Sequence, residues 1–527
     1  MKVINSSLTG RIGLFISVGC LSFMMGWMTT SCNRNDNANV PFAINGNRVL
    51  VIVIDGLRPD YVTPKIMPFL SEIQEQGFSA QNHHAVFPSS TRINAASIAT
   101  GAHPYKHGIP NNLLYLPQVS MDRVLHTGNI ADLKLIEDMT AEQIITTLSL
   151  GEILSKQDKK LFISSSGSPG AAYLLNHQLD TGVIVNREII LPDTLAPVVE
   201  KILGPPVDLS ERPRKKTVKR LVDALLKIGI DYIKADVMIA WITEPDGTAH
   251  SNGIGAPLTL EVLKFVDSEI SRIFNGLKHR GISDSTNIMI ISDHGFSTRR
   301  GEKSISSLLT ENGLKKDKSS LDVIIAKEAI YVNKNKAEMI PKIVSLLQQT
   351  AWIGPIFTRG QNDSSIEGWV PGTLSYKTIM WDHNRASDIL TSGNWSHESN
   401  EFGFKGMVFL PGVAGHNSTS PYDIRSTFIA TGPDIKTQTV SIVPSGNIDI
   451  VPTTLNLLGV RIPEVMDGRA MTEILKDGPS PLEIEVISDM QLTKTKLPNV
   501  EYQFTLHRSF VNGTIYVDST VTTRKYD

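Results

Sequence analysis

Three aspartates follow apolar runs that have the composition of buried β-strands. The runs are Val49–Ile54, Val237–Ile242 and Ile288–Ile291, and the aspartates are Asp55, Asp246 and Asp293. An aspartate after a strand is often part of an ordinary turn. In a sheet of parallel strands, however, the carboxyl ends lie at one edge, where ligands bind. The three carboxylates are therefore predicted to converge at that edge, where their oxygens suit a divalent cation.

Three histidines accompany these aspartates: His250 lies four residues after Asp246, so one helical turn or a tight loop directs both to one ion. His294 is adjacent to Asp293, and His416 lies between Gly415 and Asn417. Taken singly, such a pair is more often a surface pair or a helix cap, and a loop histidine is seldom a ligand. Together the six side chains form an oxygen and nitrogen set that suits zinc better than magnesium. Because a catalytic zinc keeps an open position, six ligands predict two Zn²⁺ ions sharing a phosphate, with other divalent ions as the alternative.

A hydroxyl residue, Thr91, stands before a run that is typical of a helix and that ends at Gly101. One interpretation is an ordinary helix N-cap. The other uses the same position for catalysis, since a hydroxyl at a helix N-terminus lies in a positive field beside backbone N–H groups. A metal bound to that oxygen would lower its pKa further. Thr91 is therefore the candidate nucleophile.

These residues belong to a series of ordered blocks. The blocks are Asp55-Gly56, Phe87–Asn94, Thr100-Gly101 with His107–Ile109, Glu244–His250, Asp293–Phe296, Gly415-His416, Asp449–Thr453 and Met466–Arg469. From Arg48 to about Leu475 the chain resembles the alkaline phosphatase superfamily, and within it the type I phosphodiesterase / nucleotide pyrophosphatase-like branch. The resemblance implies an alkaline phosphatase-like fold and hydrolysis of phosphoesters through a phosphothreonine intermediate.

The resemblance also assigns roles to residues. It implies one zinc held by Asp246, His250 and His416, and a second held by Asp55, Asp293, His294 and the Thr91 oxygen. It implies that Asn94 and the backbone N–H of Arg92 bind a non-bridging phosphate oxygen. Family members that act on nucleotides usually carry an aromatic residue and a proline after the nucleophile, where this chain has Arg92-Ile93. Arg92 is therefore expected to bind a second anionic group of the substrate.

The surrounding charges favour a phosphodiester or pyrophosphate over a monoester. One monoesterase branch of the superfamily carries a Lys-x-Arg pair where this chain reads Phe162–Ser168, which contains no basic residue. Arg92 is the only obvious cation beside the nucleophile, and a dianion in a dry site needs more positive charge. The alternatives are a phosphomonoesterase or phosphonate hydrolase with the same metals, or a catalytically silent, lipid-anchored binding protein. The only cysteines are Cys20 and Cys32, which excludes a sulfatase with a cysteine-derived nucleophile.

The elements that position these residues alternate between strand and helix, which predicts a mostly parallel α/β sheet flanked by helices. Helices are predicted from Thr63 to Gly77 and over Val218–Ile230, Leu258–Leu277 and Ile450–Leu458. The rhythm weakens over 304–404, which predicts a cap insertion, and returns in the strands Met407–Leu410 and Thr427–Ala430. The catalytic domain is accordingly predicted to comprise 48–303 and 405–475. A small β-rich C-terminal extension, 476–527, is predicted with a hairpin turn at Asn512-Gly513.

The first residues indicate export. The basic residues Lys2 and Arg11 precede the apolar run Ile12–Met28, and small residues then lead to Cys32. This pattern predicts a lipoprotein signal peptide, 1–32, a polar tether, 33–47, and a lipidated Cys32 that attaches the protein to a membrane. The competing interpretation is an uncleaved membrane anchor. The expected location is the bacterial periplasm or the outer membrane.

Composition narrows the partners. Of 527 residues, 41% are hydrophobic and 20% charged, and the formal net charge is -2. There is no basic footprint for nucleic acid. The basic run Arg212–Lys219 is expected to be the solvated start of a helix. A small-molecule phosphoester is the predicted partner, and the oligomeric state is left open.

Overall fold

The computed structural model describes residues 47–140 and 143–527. The predicted signal peptide, Cys32 and all but the last residue of the predicted tether lie outside this range. Within it, no helix combines the length and the apolar character needed to cross a membrane.

The strands fall into one large sheet and several small ones. In chain order they are β1 (Arg48–Ile54), β2 (Phe78–His84), β3 (Leu113–Leu114), β4 (Leu125–His126), β5 (Leu161–Ser165), β6 (Val183–Asn186), β7 (Ile190–Leu191), β8 (Val237–Ile242), β9 (Thr286–Ile291), β10 (Ser297–Gly301), β11 (Val323–Ala326), β12 (Ala329–Val332), β13 (Ile353–Thr358), β14 (Leu374–Ser375), β15 (Ile389–Gly393), β16 (Trp395–Ser399), β17 (Lys405–Pro411), β18 (Ala414–Gly415), β19 (Arg425–Thr431), β20 (Thr439–Ser441), β21 (Ser445–Gly446), β22 (Ile487–Leu497), β23 (Val500–Val511) and β24 (Thr514–Tyr526).

The large sheet has the order β20-β2-β19-β9-β1-β8-β5-β6-β7, and β21 also pairs with β2. Strands β9, β1, β8, β5 and β6 are mutually parallel, whereas β19 and β7 are antiparallel to their neighbours. The centre of the sheet is buried on both faces, which explains the unbroken apolar runs of its strands. Along β1, for example, Val49, Val51 and Val53 face one hydrophobic core, and Leu50 and Ile52 face the other.

Helices cover both faces of this sheet. They are α1 (Pro68–Gln76), α2 (Thr91–Thr100), α3 (Pro104–His107), α4 (Ile130–Thr140), α5 (Leu150–Ser155), α6 (Pro169–Leu175), α7 (Ala196–Leu203), α8 (Lys215–Ala224), α9 (Asp246–Asn252), α10 (Pro257–His279), α11 (Ile305–Glu311), α12 (Met339–Gln349), α13 (Pro421–Ile424) and α14 (Ile450–Leu457). Residues of α2, α4, α5, α6 and α14 belong to the first core. Residues of α1, α7, α8 and α10 belong to the second.

Two helices differ from the sequence-based prediction. The first begins at Pro68 rather than Thr63, because a residue before proline is disfavoured in helical conformation, and Met67 has φ -131° and ψ 72°. It ends before Gly77, as predicted. The predicted helix Val218–Ile230 is α8 continued by a π-helix over Leu225–Ile233.

A second sheet carries strands that flank the metal-ligand candidates. Its order is β16-β17-β10-β18, and β10 follows Asp293-His294 while β18 immediately precedes His416. The run Met407–Leu410, predicted as part of the main α/β rhythm, lies in β17 of this sheet and pairs with β10. Its strand partners are therefore in the small sheet, and only Thr427–Ala430, in β19, returns to the large one.

Most strands of the segment predicted as an insertion form one sheet, in the order β11-β12-β15-β13-β14, whereas β16 joins the second sheet. The C-terminal strands form a three-stranded sheet, with the β23–β24 turn at Asn512 and Gly513, where φ is 50° and 82°. Side chains of both sheets share one hydrophobic core, to which Tyr502 and Phe504 contribute. The hydroxyl of Tyr502 donates to the carbonyl of Gly354 at 2.9 Å. The C-terminal extension thus packs on the insertion segment.

Candidate active site

Three adjacent parallel strands deliver the three aspartates to one place. Strand β1 lies between β9 and β8, with Val53 aligned to Ile291 and to Trp241. Asp55 directly follows β1, and the backbone N–H of Asp246 donates to the carbonyl of Asp55 at 3.1 Å. The predicted convergence is therefore present at the carboxyl edge of the sheet.

The first group of candidate ligands consists of Asp246, His250 and His416, whose ligand atoms lie within 4.8 Å of one another. Asp246 and His250 are one turn apart in α9, so the four-residue spacing is helical. The Nε2 atoms of His250 and His416 lie 3.2 and 3.6 Å from Asp246 Oδ1.

The second group consists of Asp55, Asp293 and His294, again within 4.8 Å. His294 Nε2 lies 3.4 Å from Asp55 Oδ1 and 3.2 Å from Asp293 Oδ2. The rings of His294 and His416 stack with centroids 3.6 Å apart, so the two groups adjoin. The structure thus brings together all six side chains that the sequence selects.

The hydrogen-bonding pattern of these side chains fits metal ions. Each histidine places Nδ1 on a backbone carbonyl: His250 on Ala414 at 3.0 Å, His294 on Gly295 at 2.9 Å and His416 on Ser89 at 2.7 Å. A neutral imidazole that donates through Nδ1 presents the Nε2 lone pair. Those lone pairs face carboxylate oxygens, and the facing atoms Asp55 Oδ1, Asp246 Oδ1 and Asp293 Oδ2 are buried without a hydrogen-bond partner. Acceptors that face one another at this range repel unless a metal ion or a proton lies between them, and the arrangement therefore fits a bound cation.

The electrostatics of the carboxylates support the same conclusion. Burial, together with Asp293 and Asp246, raises the pKa of Asp55 well above its usual value. Burial and Asp246 raise the pKa of Asp293 to about 8. Burial opposes ionisation of Asp246 also, but the facing His250 and other histidines lower its pKa below the usual value. Positive charge at this centre relieves the repulsion. The donor set of oxygens and imidazole nitrogens suits zinc.

The remaining oxygens of this centre are held by the fold. The indole N–H of Trp241 donates to Asp55 Oδ2 at 3.1 Å, and the backbone N–H of Gly56 donates to Asp293 Oδ1 at 3.1 Å. Each of these carboxylates therefore has one oxygen fixed by the protein and one directed at its histidine. Outer partners of this kind orient metal ligands.

Thr91 lies beside the second group. It is the first residue of α2, its Oγ1 is 3.3 Å from His294 Nε2, and 7% of the residue is exposed. The N-cap interpretation is wrong, because Ser90 occupies the cap position and the Ser90 hydroxyl donates to Asn417 instead of capping. The Thr91 hydroxyl thus stands at a helix N-terminus next to the candidate ligands.

The part predicted for Asn94 does not match its surroundings. Its Oδ1 accepts from the Val86 N–H and the Asn447 amide, and its Nδ2 donates to the carbonyls of Val86 and Ser90. The residue is fully buried, so its amide has no free position for a phosphate oxygen. Asn94 therefore serves as a bridge inside the fold.

The asparagine that lies at the site instead of Asn94 is Asn112, which the sequence does not single out. It lines the cavity beside Thr91, and its Oδ1 accepts from the Arg92 backbone N–H at 3.1 Å. The Arg92 N–H, predicted to bind phosphate, is thus already engaged with Asn112. The signal that could have indicated Asn112 is only the Asn111-Asn112 pair after Gly108–Pro110, which resembles any polar loop.

A cavity of about 530 Å³ opens over the centre. Arg92 lines it, as predicted, and its Nε is buried without a hydrogen-bond partner. A Cβ atom at position 128, which is Gly128, would lie 2.6 Å from Arg92 Nη2, so glycine there makes room for the guanidinium. The expectation that Arg92 is the only nearby cation is wrong, since the lining also includes Arg187, Arg214, Arg299 and Lys327.

Lys327 comes from the insertion segment. It occupies the tight turn between β11 and β12, with φ 60°. The next residue, Glu328, is buried and accepts from the Asn417 amide at 3.3 Å. Asn111 donates to the carbonyl of Ala326 at 3.1 Å, which ties the same hairpin to the loop of Asn112. The insertion therefore contributes directly to the wall of the cavity.

Comparison with known proteins identifies the family. Residues 49–390 match the family described as type I phosphodiesterase / nucleotide pyrophosphatase. The chain belongs to this family. The resemblance seen in the sequence blocks is thereby confirmed.

Curated relatives in this family are distant and longer. The chain is 24% identical over 273 residues to ectonucleotide pyrophosphatase/phosphodiesterase family member 1 of Rattus norvegicus, covering 51% of this chain and 26% of that protein. It is 22% identical over 272 residues to venom phosphodiesterase of Macrovipera lebetinus, covering 51% and 28%. The chain thus spans about a quarter of the length of these relatives.

Solved structures support the fold. Human ectonucleotide pyrophosphatase/phosphodiesterase 5 aligns with TM-score 0.59 at 14% identity, over 82% of this chain and 100% of that chain. A mutant of the alkaline phosphatase PafA aligns with TM-score 0.60 at 14% identity, over 82% and 100%. The predicted fold class, a mostly parallel alkaline phosphatase-like sheet flanked by helices with additional β-structure at the C-terminus, is confirmed.

Proposed function

We propose that this chain hydrolyses phosphodiester or pyrophosphate bonds, with Thr91 as the nucleophile and two Zn²⁺ ions as cofactors. The observation that carries the proposal is the Thr91 hydroxyl at a helix N-terminus, 3.3 Å from His294, beside two adjoining Asp/His groups. Membership of the type I phosphodiesterase / nucleotide pyrophosphatase family supports the reaction class. So do the names of the relatives, a nucleotide pyrophosphatase/phosphodiesterase and a venom phosphodiesterase.

The residues of the proposed active site have separate roles. Asp246, His250 and His416 would hold one ion, and Asp55, Asp293 and His294 the other. When bound, the ions supply Lewis-acid chemistry for the attacking and leaving oxygens. Thr91 Oγ1 gives up its proton to solvent and attacks phosphorus in line, while the bond from phosphorus to the leaving oxygen breaks and that oxygen takes up a proton from water. Water then cleaves the phosphothreonine, which releases the phosphate product and restores the Thr91 hydroxyl. Asn112 is placed to donate its amide N–H to a phosphate oxygen.

The setting of this reaction is also a proposal. An export signal with a lipidated Cys32 would place the enzyme in the periplasm or at the outer membrane of a bacterium, where it meets small phosphoesters. A phosphomonoesterase is the second candidate, because four cationic side chains besides Arg92 line the cavity and could compensate a dianion.

A substrate panel with nucleophile variants tests the reaction. We expect zinc-supplied wild type to hydrolyse bis(p-nitrophenyl) phosphate with higher kcat/KM than p-nitrophenyl phosphate. Thr91→Ala should remove turnover while zinc, measured by elemental analysis, stays bound through the six side chains. Thr91→Ser keeps the hydroxyl and is the matched control, which should retain measurable turnover. Full activity in Thr91→Ala would refute the nucleophile, and a preference for the monoester would favour the second candidate.

A further inference from the structure

Two of the cavity arginines come from segments that no motif connects with the site. Arg187 directly follows β6, and Arg214 is the residue before α8. Arg214 belongs to the basic run for which the sequence predicts a solvated helix start. It is instead half-buried, and both arginines line the cavity over the metal-ligand candidates.

Both side chains are held in place by the fold. Arg187 Nε donates to the carbonyl of Gly167 at 3.1 Å, and Arg187 Nη2 pairs with Glu188 at 2.6 Å. The backbone N–H of Arg214 donates to Glu244 Oε1 at 3.1 Å, and its Nη1 lies 3.4 Å from Thr243 Oγ1. Contacts of this kind preorganise the guanidinium groups and lower the entropy lost when a ligand binds.

Among the described residues, Arg214 forms no close ion pair. Across residues 47–140 and 143–527 no carboxylate lies within ion-pair distance of its guanidinium, and its Nε is buried without a hydrogen-bond partner. Burial, and the neighbouring charges of Arg187 and Arg212, lower the pKa of Arg214, whereas the carboxylates of Glu244 and Asp246 act in the opposite direction. Arginines that share a partly desolvated wall favour the binding of an anion beside them.

The floor beside these arginines is made of small residues, Gly167, Ser168 and Ala171, which leave volume for a ligand. This stretch follows β5, which is two strands from β1 in the order β1-β8-β5. At about 4.8 Å between strands, β5 lies about 10 Å from β1, so the Arg187 Nε bound at Gly167 lies to the side of Asp55. An anion bound there is displaced from a phosphorus that Thr91 could attack.

We propose that Arg187 and Arg214 bind a second phosphate group of the substrate, one that is not hydrolysed. The proposal rests on the proposed function and names the substrate class within it: phosphodiesters or pyrophosphates whose non-reacting part carries its own phosphate. Guanidinium groups bind phosphate oxygens through charge-assisted hydrogen bonds, and within the described chain Arg214 makes no close ion pair that would compete with a phosphate.

A pair of esters differing in one phosphate tests this. The probes are the p-nitrophenyl ester of thymidine 5′-phosphate and the same ester carrying a 3′-phosphate. Wild type should prefer the 3′-phosphorylated ester by about tenfold to hundredfold in kcat/KM, as expected for charge-assisted hydrogen bonds. Arg187→Gln and Arg214→Gln should each reduce this ratio at least threefold. Arg212→Gln, two residues from Arg214 and exposed, is the matched control and should keep the ratio.

Binding measured without turnover decides the proposal separately from the reaction. By calorimetry, thymidine 3′,5′-bisphosphate should bind wild type more tightly than thymidine 5′-phosphate, and Arg214→Gln should remove most of the difference. Equal binding of the two nucleotides by wild type would overturn the inference. So would a selective loss of p-nitrophenyl phosphate hydrolysis in the variants, since the arginines would then serve the reacting phosphoryl group. If neither ester is hydrolysed yet the bisphosphate binds as expected, the proposed function fails and the phosphate subsite stands.

Discussion

Replacing Asn112 should mainly reduce activity, whereas replacing Asn94 should mainly reduce stability. Asn112→Ala removes an amide that faces the cavity beside Thr91 and keeps the packing of α2. If this amide donates to the developing charge on phosphate, kcat/KM should fall about 10²- to 10³-fold, which corresponds to roughly 2.7–4 kcal/mol. The free energy of unfolding should fall by only about 1 kcal/mol, because the substitution removes a single side-chain hydrogen bond, the one accepted from the Arg92 N–H at 3.1 Å.

Asn94→Ala should act on stability. The substitution removes four hydrogen bonds of 2.8 to 3.2 Å and leaves the Val86 N–H and the Asn447 amide without this partner. At about 1–3 kcal/mol for each buried group left unpaired, the loss is roughly 3–6 kcal/mol, allowing for incomplete additivity. The protein that remains folded should keep most of its kcat.

The assay measures kcat and KM on bis(p-nitrophenyl) phosphate at saturating zinc, together with urea unfolding of each variant. Asn112→Asp is a useful second variant, because it keeps the acceptor for the Arg92 N–H and replaces the donor by a negative charge. It should lose at least as much activity as Asn112→Ala. The reasoning is refuted if Asn112→Ala changes kcat/KM by less than about fivefold, or if Asn94→Ala abolishes kcat at unchanged stability.

Three further predictions concern the metals, the insertion and the anchor. Purified protein should hold two zinc ions per chain and lose activity to chelators. Because the pKa of Asp293 is raised to about 8, protons compete with the metal, and zinc affinity should weaken as pH falls below that value. A competing-chelator titration at several pH values would measure this. Lys327→Ala should raise KM about two- to fivefold with kcat nearly unchanged, the modest effect of an exposed charge, whereas the exposed Lys318→Ala in the same segment should change neither. Cys32→Ser should release the protein from the membrane fraction, and an unchanged fraction would indicate the uncleaved-anchor interpretation.

The ligand set is predictable because most of its members are marked locally. Asp55 and Asp293 follow apolar strands, and Asp246 and His250 have the spacing of one helical turn. Because β9, β1 and β8 pair in parallel, the three positions that follow these strands lie at one edge of the sheet. Only His416 lacks a local marker, and it is identified because the blocks around it match the order of a known family.

The phosphate donor is not predictable in the same way. Asn94 is close to Thr91 along the chain, but three residues along α2 the side chain turns inward, to Val86 and Asn447. Asn112 reaches the site from a loop 21 residues after Thr91, and its position depends on contacts with the insertion hairpin. Distance along the sequence therefore does not show which asparagine lies beside the nucleophile.

The prediction that Arg92 is the only cation near the nucleophile is wrong for a related reason. This error affects the expected choice of substrate. Phe162–Ser168 contains no cation, yet Gly167 within that stretch is the hydrogen-bond partner of Arg187, which reaches it from the next strand, β6. The preference for a diester therefore no longer follows from a shortage of positive charge. It follows only if the additional cations act away from the reacting phosphorus. The displacement of Arg187 from β1 favours that arrangement. The preference for a diester and the binding of a remote phosphate therefore depend on the same geometry.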